Sequence, residues 1–157
     1  MSDDAFPDIA TLVPHSGPMC LLARVLEHTH DRTLCEVDPA DSRLLANPDG
    51  SVPVWVALEY MAQCIAVHGG LAALARGEAP RPGLLLGSRR IHFAARELAP
   101  GEKLRVTAEH HRGEIGLAAF DCAVFAEADE DPLVRGRLNV YIVEDWRQLA
   151  DVGGGDA

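Results

Sequence analysis

The sequence predicts an α+β fold in which an antiparallel sheet wraps around one long central helix. Two patterns lead to this prediction. A mostly apolar segment runs from Pro53 to about Ala75, the length of roughly six helical turns. Strand-like segments separated by turn residues then follow at regular spacing. With 157 residues and 48% hydrophobic content, the chain has the size of one domain with one core, which we place at residues 1–143. Residues 144–157, which end in a glycine-rich stretch, are expected to form a flexible tail.

The segment before the helix predicts a lead-in, a hairpin and a long connection. Residues up to Pro14 form a short amphipathic or irregular lead-in. The apolar run Met19–Leu26 predicts a buried strand, and Thr33–Val37 is its expected hairpin partner across a turn at 28–32. Residues 39–53 form a connection that contains Asp, Asn, Pro and Gly. Connections of this length in a small domain tend to be functional or mobile.

The long apolar segment carries the signals of a helix at both ends. Pro53 suits the first position of a helix, and Arg76 followed by Gly77 is typical of a helix end. Apolar residues continue almost all the way round, which predicts a central helix enclosed by other elements. The strands predicted after it are Leu84–Phe93, Lys103–His111, Gly116–Phe125 and Leu133–Val143.

Composition excludes several classes of function. The formal net charge is -10 and the sequence pI is about 5.0, whereas a nucleic-acid-binding surface would be basic. The acidic start of the chain is unlike a secretion signal, and no run approaches the roughly 18 apolar residues of a membrane span, so we expect a cytoplasmic protein. Four scattered cysteines without a C-x-x-C pair predict core filling rather than zinc binding, namely Cys20, Cys35, Cys64 and Cys122.

Glu59 is the only carboxylate on the apolar helix. An ionised carboxylate is costly to bury alone, and an apolar setting raises the pKa of a carboxyl, which suits a proton donor near neutral pH. The alternative is a carboxylate that faces solvent or joins a salt bridge, and the pattern leaves both interpretations open. Gln63 lies one turn after Glu59, so the two side chains can share a face and form a hydrogen bond.

His15 is the best candidate for a base that could work with Glu59. It is flanked by Pro14, Gly17 and Pro18, which would hold it rigidly, although an ordinary loop histidine is the alternative. His68 lies about two and a half turns beyond Glu59, on nearly the opposite side of the helix, and is predicted to be structural. The other histidines predict no metal site, because His110 and His111 are expected to face solvent and His28, His30 and His92 lack ligand spacing.

Four arginines form the basic concentration of this acidic chain. They could serve solubility alone at a strand edge, or they could form a docking patch for an acidic partner. The four are Arg81, Arg89, Arg90 and Arg96.

Three stretches occur in an order found in one known family. Leu12–Val25 reads LVPHSGPMCLLARV, Leu58–Gln63 reads LEYMAQ, and Leu86–Phe93 reads LGSRRIHF, followed by Pro100–Leu104, PGEKL. They resemble the opening L-P-H-R-x-P-x-L-L-x-D-R-V, the helix motif L-E-x-M-A-Q and the later strand with its P-G-D-x-L turn of the hotdog-fold 3-hydroxyacyl-[acyl-carrier-protein] dehydratases. The resemblance covers nearly the whole domain and implies a hotdog fold.

One departure concerns the catalytic histidine of that family. The usual family places it in a G-H-F-P motif fourteen residues before the helix glutamate, a position occupied here by Leu45. The 39–53 connection contains no histidine. The pattern P-H-x-G-P-M combined with E-Y-M-A-Q resembles a divergent subgroup, the dehydratases of aryl polyene and related type II synthase clusters. In this subgroup His15 is the best remaining base.

The resemblance implies dehydration of a 3-hydroxyacyl thioester on acyl carrier protein to the trans-2-enoyl product. We expect neutral His15 to remove the C2 proton, and Glu59, kept protonated by its apolar surroundings, to donate a proton to the departing C3 hydroxyl. Backbone N–H groups near Val54 and Trp55 would hold the thioester carbonyl oxygen, and Gln63 is placed in the substrate-binding set. No metal or organic cofactor is required.

The resemblance also implies partners. Hotdog subunits join their sheets with the active tunnel between them, so we expect a homodimer or a heteromer with a second hotdog dehydratase, and His15 and Glu59 could come from different chains. The arginine group would meet the acidic carrier protein. Two alternatives stay open: a thioesterase of the same fold, in which the helix carboxylate directs water, and a non-catalytic subunit, suggested by the missing loop histidine.

Overall fold

The computed structural model describes residues 5–111, 113 and 116–143, so the predicted tail at 144–157 lies outside the described residues. One long helix and eight strands are present in this part of the chain. The strands are β1 (Arg24–His28), β2 (Arg32–Val37), β3 (Val52–Pro53), β4 (Gly83–Phe93), β5 (Glu97–Leu98), β6 (Leu104–His111), β7 (Leu117–Ala126) and β8 (Val134–Ile142), and the helix is α1 (Ala57–Ala75).

The central helix is confirmed, and its ends follow the predicted signals. Pro53 precedes a short 3-10 turn, Val54–Val56, which leads directly into α1. At the other end Gly77 has φ 71, and the N–H groups of Gly77 and Glu78 donate to the carbonyls of Leu74 and Ala73. This is the paired hydrogen bonding of a glycine-terminated helix, in which a residue without a side chain adopts the left-handed conformation.

The segment Val54–Ala75 is long and apolar enough to cross a membrane, by length and composition only. In the fold, 67% of the 18-residue stretch of this segment that meets the membrane criterion is buried inside the domain. Its apolar character is therefore that of a core helix.

Six strands form one antiparallel sheet in the order β1-β2-β6-β7-β8-β4, and β3 pairs with β5 in a separate two-stranded sheet. The large sheet covers α1 through β2, β6 and β7. Strict alternation along β7 turns Ala118, Phe120, Cys122, Val124 and Ala126 inward, as a strand with one buried face requires. The predicted α+β class and the four strands after the helix are confirmed.

The first predicted strand is shorter than expected. Regular strand pairing begins at Arg24. Before it, Gly17–Met19 forms a 3-10 turn, and the backbone between this turn and Arg24 is not part of a strand. The N–H of Leu21 donates to the side chain of Gln63 on α1 rather than to a strand. Leu21 and Leu22 are nevertheless buried. The apolar run therefore correctly predicted burial, but burial alone did not determine the hydrogen-bond partner.

The 39–53 connection is folded against the helix. It contains two 3-10 turns, Pro39–Asp41 and Arg43–Leu45, before β3 begins. Between the turns, the fully buried hydroxyls of Ser42 and Tyr60 form a hydrogen bond of 2.6 Å. Burial raises the pKa of Tyr60, so this phenol is neutral at ordinary pH. The bond fixes the connection to α1 near Glu59.

The predicted core roles of the cysteines and of His68 are also observed. Cys35, Cys64 and Cys122 are buried, with the Cys35 and Cys64 sulfurs 3.8 Å apart, and Cys20 is half-buried. His68 is buried at the sheet, where its Nδ1 lies 2.8 Å from the Thr33 hydroxyl. Burial, followed by the charges of neighbouring histidines, lowers the pKa of His68 to about 4. His68 is thus a neutral packing residue at neutral pH.

Candidate active site

His15 and Glu59 meet within one chain. The lead-in carries His15 and the first turn of α1 carries Glu59, with His15 Nε2 and Glu59 Oε1 3.0 Å apart. The two side chains are 32% and 31% exposed. The contact brings the two predicted catalytic residues together without a second subunit, which differs from the expectation that they could come from different chains. The pair is accessible enough to reach a ligand.

The half-exposure of Glu59 differs from the buried setting that the sequence predicts. Most of its apolar neighbours on α1 face the core, including Tyr60, Met61 and Cys64, which are fully buried. Trp55 and Glu59 instead lie on the open side at the helix start. Apolar composition all around a helix therefore did not reveal that one sector is left uncovered in the single chain.

Packing against α1 fixes the path of the lead-in. Ile9, Leu12 and Val13 are buried in the core just before His15. Leu12 lies so close to the helix that a Cβ at Gly70 would come within 2.9 Å of the Leu12 carbonyl oxygen. Gly70 thus permits a close approach of two backbones, and this approach holds the segment that presents His15.

Gln63 links the lead-in to Glu59. Its amide nitrogen donates to the Met19 carbonyl at 2.7 Å and to Glu59 Oε1 at 2.9 Å, and its carbonyl oxygen accepts the Leu21 N–H at 3.0 Å. Gln63 is 0% exposed. With these three bonds the side chain positions other groups, whereas the sequence placed it among the substrate-binding residues. The pairing of Gln63 with Glu59 one turn away was predicted, but its hold on residues 19–21 was not.

One nitrogen of His15 is available for proton exchange. Nδ1 is buried and has no hydrogen-bond partner in the described part of the chain, whereas Nε2 faces Glu59. Glu59 Oε1 also accepts from Gln63, which leaves the second carboxyl oxygen, Oε2, without a partner among the described residues. His15 Nε2 and the carboxyl of Glu59 are therefore the atoms of the pair that are placed to exchange a proton with a ligand.

The two backbone N–H groups predicted as donors at the helix start differ in their bonding. The Val54 N–H, one of the two donors predicted to hold a substrate oxygen, donates to the carbonyl of Arg96 at 3.1 Å. The Trp55 N–H has no acceptor within the described residues. It lies at the positive end of the helix dipole, where developing negative charge is stabilised.

The position of the absent family histidine is apolar. Leu45 is half-buried and packs against the core, and its 3-10 turn contacts the Gly17–Met19 turn that follows His15. The preceding residue, Leu44, is 62% exposed. Trp55, at the helix start, is 56% exposed. The 39–53 connection thus contributes apolar surface and no histidine.

The structure separates the four arginines predicted as a docking patch. Arg81 pairs with Glu78 at 3.4 Å, and Arg96 lies beside the helix start through its carbonyl bond to Val54. Arg89 and Arg90 lie on β4, along a groove of about 1040 Å³ on the sheet face. That groove is lined by sheet residues and does not include His15 or Glu59. Arg96 is therefore the member of this set that lies nearest the candidate site by its backbone contacts.

Comparisons with known proteins identify the family and agree with the fold. The chain matches the ApeP-like family, whose members are described as ApeP dehydratase, over residues 7–151. No curated protein sequence matches the chain significantly. A chain of the dehydratase heterocomplex ApeI:P from Xenorhabdus doucetiae superposes with a TM-score of 0.87 at 27% identity, covering 95% of this chain and 99% of that chain.

Two thioesterase structures share the fold at lower similarity. Zebrafish thioesterase superfamily member 2 superposes with a TM-score of 0.60 at 16% identity, covering 85% of this chain and 91% of that chain. A hypothetical thioesterase from Streptococcus pneumoniae TIGR4, solved with coenzyme A, gives 0.56 at 12% identity, covering 76% and 84%. These likenesses bear on the hotdog fold alone. The match over residues 7–151 decides the family: the chain belongs to the ApeP-like dehydratases.

Proposed function

We propose that this chain is the catalytic subunit of a dehydratase that converts 3-hydroxyacyl thioesters on acyl carrier protein into trans-2-enoyl thioesters, in a type II pathway of the aryl polyene kind. The observation that carries the proposal is the 3.0 Å contact between His15 Nε2 and Glu59 in a chain of a dehydratase family. No metal or organic cofactor has a role in this chemistry. We further propose that the reaction takes place in the cytoplasm.

The reaction needs a proton removed at C2 and a proton delivered at C3. His15 Nε2 takes the C2 proton, the C2–H electron pair forms the C2=C3 bond, and the C3–O bond breaks. Glu59 gives its proton to the departing hydroxyl, which leaves as water. Because C2 and C3 are adjacent, an acid and a base in direct contact can reach both. The Trp55 N–H holds the thioester oxygen, on which negative charge develops.

A second hotdog subunit completes the proposed enzyme. The related ApeI:P structure is a heterocomplex of dehydratases. Here β4 is an edge strand of the large sheet, with Leu84, Leu85 and Leu86 exposed by 43%, 49% and 57%. An exposed apolar edge strand tends to pair with another chain. We therefore propose that β4 is the joining edge, and we favour a heteromer over a homodimer.

The acyl carrier protein is proposed to dock beside the helix start. Of the predicted set, Arg96 supports this best, because its backbone is bonded to the helix start next to Trp55. Arg81, Arg89 and Arg90 lie elsewhere on the surface. An Arg96→Ser variant is expected to raise KM for the carrier-bound substrate and leave kcat unchanged, since a rim charge mainly affects encounter.

Point variants test the proposed roles. His15→Ala and Glu59→Gln should each lower turnover by roughly 10²–10⁴, because each removes one proton-transfer group, while thermal unfolding stays close to wild type. His15→Gln adds a sharper comparison, since its amide can still donate toward Glu59 but cannot act as a base. Near-normal turnover in His15→Gln would remove His15 as the base and leave it a positioning residue. Release of free thiol without an enoyl product would indicate a thioesterase instead.

A second candidate function is a non-catalytic subunit, favoured by Leu45 at the position of the family's loop histidine. Turnover of the purified chain alone should be compared with turnover of its mixture with a second hotdog dehydratase. Under the non-catalytic alternative, the mixture is active and Glu59→Gln in this chain leaves its rate unchanged. A loss of rate in that variant mixture instead assigns catalysis to this chain.

A further inference from the structure

The edge strand β4 is strongly basic in an acidic protein. Residues 83–96 contain three arginines and one histidine and no carboxylate, whereas the whole chain has a formal net charge of -10. Arg89, Arg90 and His92 lie on β4 itself, and all three are exposed. The charge at this edge therefore has the sign opposite to that of the molecule.

Within the described residues these cations form no ion pair, although Glu109 and Asp121 line the same groove. Arg89 lies opposite Arg137 on β8, and His92 lies opposite Arg135. The Arg137 guanidinium is neutralised by Asp121 on β7, at 2.8 Å from Nε to Oδ1. No carboxylate in the described part of the chain forms an ion pair with Arg89, Arg90 or Arg135. Like charges opposite each other on neighbouring strands are destabilising, and within the described residues Arg89 has no ion pair of its own to offset this.

Pairing of β4 with the β4 of a second copy would bring two sets of like charges together. A strand added to this edge lies about 4.8 Å away. In an antiparallel self-pair centred on Ser88, the two copies of Arg89 become diagonal neighbours at about 7–8 Å. Every other central register also brings two carboxylate-free segments side by side. The apolar residues at the start of β4 favour association, while the arginines at its end oppose association with an identical strand.

We propose that Arg89 and Arg90 select the partner subunit: they disfavour the homodimer and favour a hotdog subunit whose facing edge strand carries carboxylates. The inference rests on the proposed pairing through β4 and specifies the chemistry of the partner. It assigns Arg89 and Arg90 to the subunit interface, whereas the acyl carrier protein meets Arg96. Complementary charge across an interface sets partner choice, and like charge excludes the wrong partner.

A charge-reversed copy of this chain serves as an acidic partner of known structure. The variant Arg89→Glu/Arg90→Asp places two carboxylates on β4, and Asp suits position 90 because Arg90 has φ 56, a left-handed conformation that Asp tolerates. Tagged wild-type chain is mixed with this variant and examined by native mass spectrometry at low and high ionic strength. At low ionic strength, the equilibrium ratio of the mixed dimer to the two homodimers is expected to exceed its value for random pairing by about tenfold, and in salt it should return toward that value.

Two further variants control for net charge and for folding. Arg76→Glu/Lys103→Glu makes the same change in net charge at exposed positions away from β4, and it should give only the statistical share of mixed dimer. Arg89→Ser/Arg90→Asn removes the repulsion without adding carboxylates and should self-associate more tightly than wild type. If the mixed dimer is absent or no more abundant than the statistical share, the proposal is overturned.

Assembly and catalysis are read out separately in this design. Selective mixed dimers that yield no enoyl product with any partner would refute the proposed dehydratase function and leave partner selection standing. Full activity combined with unselective assembly would refute partner selection and leave the proposed function standing.

Discussion

Two adjacent glycines of α1 provide a matched pair of substitutions. A Cβ at Gly70 would lie 2.9 Å from the Leu12 carbonyl oxygen and 3.3 Å from the Leu12 Cβ, whereas a Cβ at Gly69 meets nothing within 4 Å. Both residues lie inside the same helix. Gly70→Ala and Gly69→Ala therefore share the helix-propensity effect and differ in the contact with the lead-in.

The expected free energies follow from these two terms. Replacing a glycine by alanine inside a helix stabilises it by about 0.8–1.0 kcal/mol, so Gly69→Ala should raise the free energy of unfolding by that amount. Gly70→Ala gains the same term, but it forces two backbones apart, and overpacking typically costs about 1–3 kcal/mol. The free energies of unfolding of the two variants should therefore differ by about 1–3 kcal/mol, with Gly69→Ala the more stable.

Urea unfolding followed by circular dichroism measures this difference in free energy. Turnover assays show whether displacement of the lead-in also changes the candidate active site. Because Leu12 lies three residues before His15, displacement of its backbone should lower turnover in Gly70→Ala, while Gly69→Ala stays at the wild-type rate. Equal stabilisation of the two variants would refute the close approach. Destabilisation of Gly70→Ala with unchanged turnover would refute its link to His15.

Two other side chains give further predictions. Gln63→Leu leaves the buried Leu21 N–H without an acceptor and should cost about 1–3 kcal/mol of unfolding free energy in urea titrations. Gln63→Glu keeps that acceptor but places a carboxylate beside Glu59, so its stability should recover as pH falls; a pH-independent deficit would contradict this. His68 is held neutral in the fold with its pKa lowered from 6.5 to about 4, so the unfolded chain takes up the proton first and stability falls as pH drops from 6.5 toward 4. His68→Phe should remove about 2 kcal/mol of this decline, allowing for solvent screening, and an unchanged thermal-melt profile across this range would exclude His68 as its source.

Elements with a strong periodic pattern were predictable. The helix from Pro53 to Ala75 and the strands after it follow directly from apolar spacing and from the residues that end them. The first strand was not delimited correctly, because Leu21 and Leu22 are buried as a strand would be, yet the Leu21 N–H is bound by Gln63 on the helix. Apolar pattern reports burial, whereas the partner of a backbone N–H depends on which element lies next to it.

The candidate site was likewise predictable only in part. The sequence pointed to His15, Glu59 and the pairing of Gln63 with Glu59, because a motif and a one-turn spacing are visible in one dimension. It could not show that the Val54 N–H is taken by the Arg96 carbonyl, or that Gln63 also binds residues 19–21. These contacts join segments far apart in the chain.

The sequence by itself determined the fold class, the family resemblance and the identity of the two candidate proton-transfer residues. Local spacing and side-chain chemistry are sufficient for each of these. The tertiary structure decided that His15 and Glu59 meet in a single chain at 3.0 Å, that Glu59 is half-exposed, and that the predicted arginine patch is divided among separate surfaces. The physical reason is that distance, solvent access and charge pairing depend on which distant segments pack together, and sequence spacing does not specify that packing.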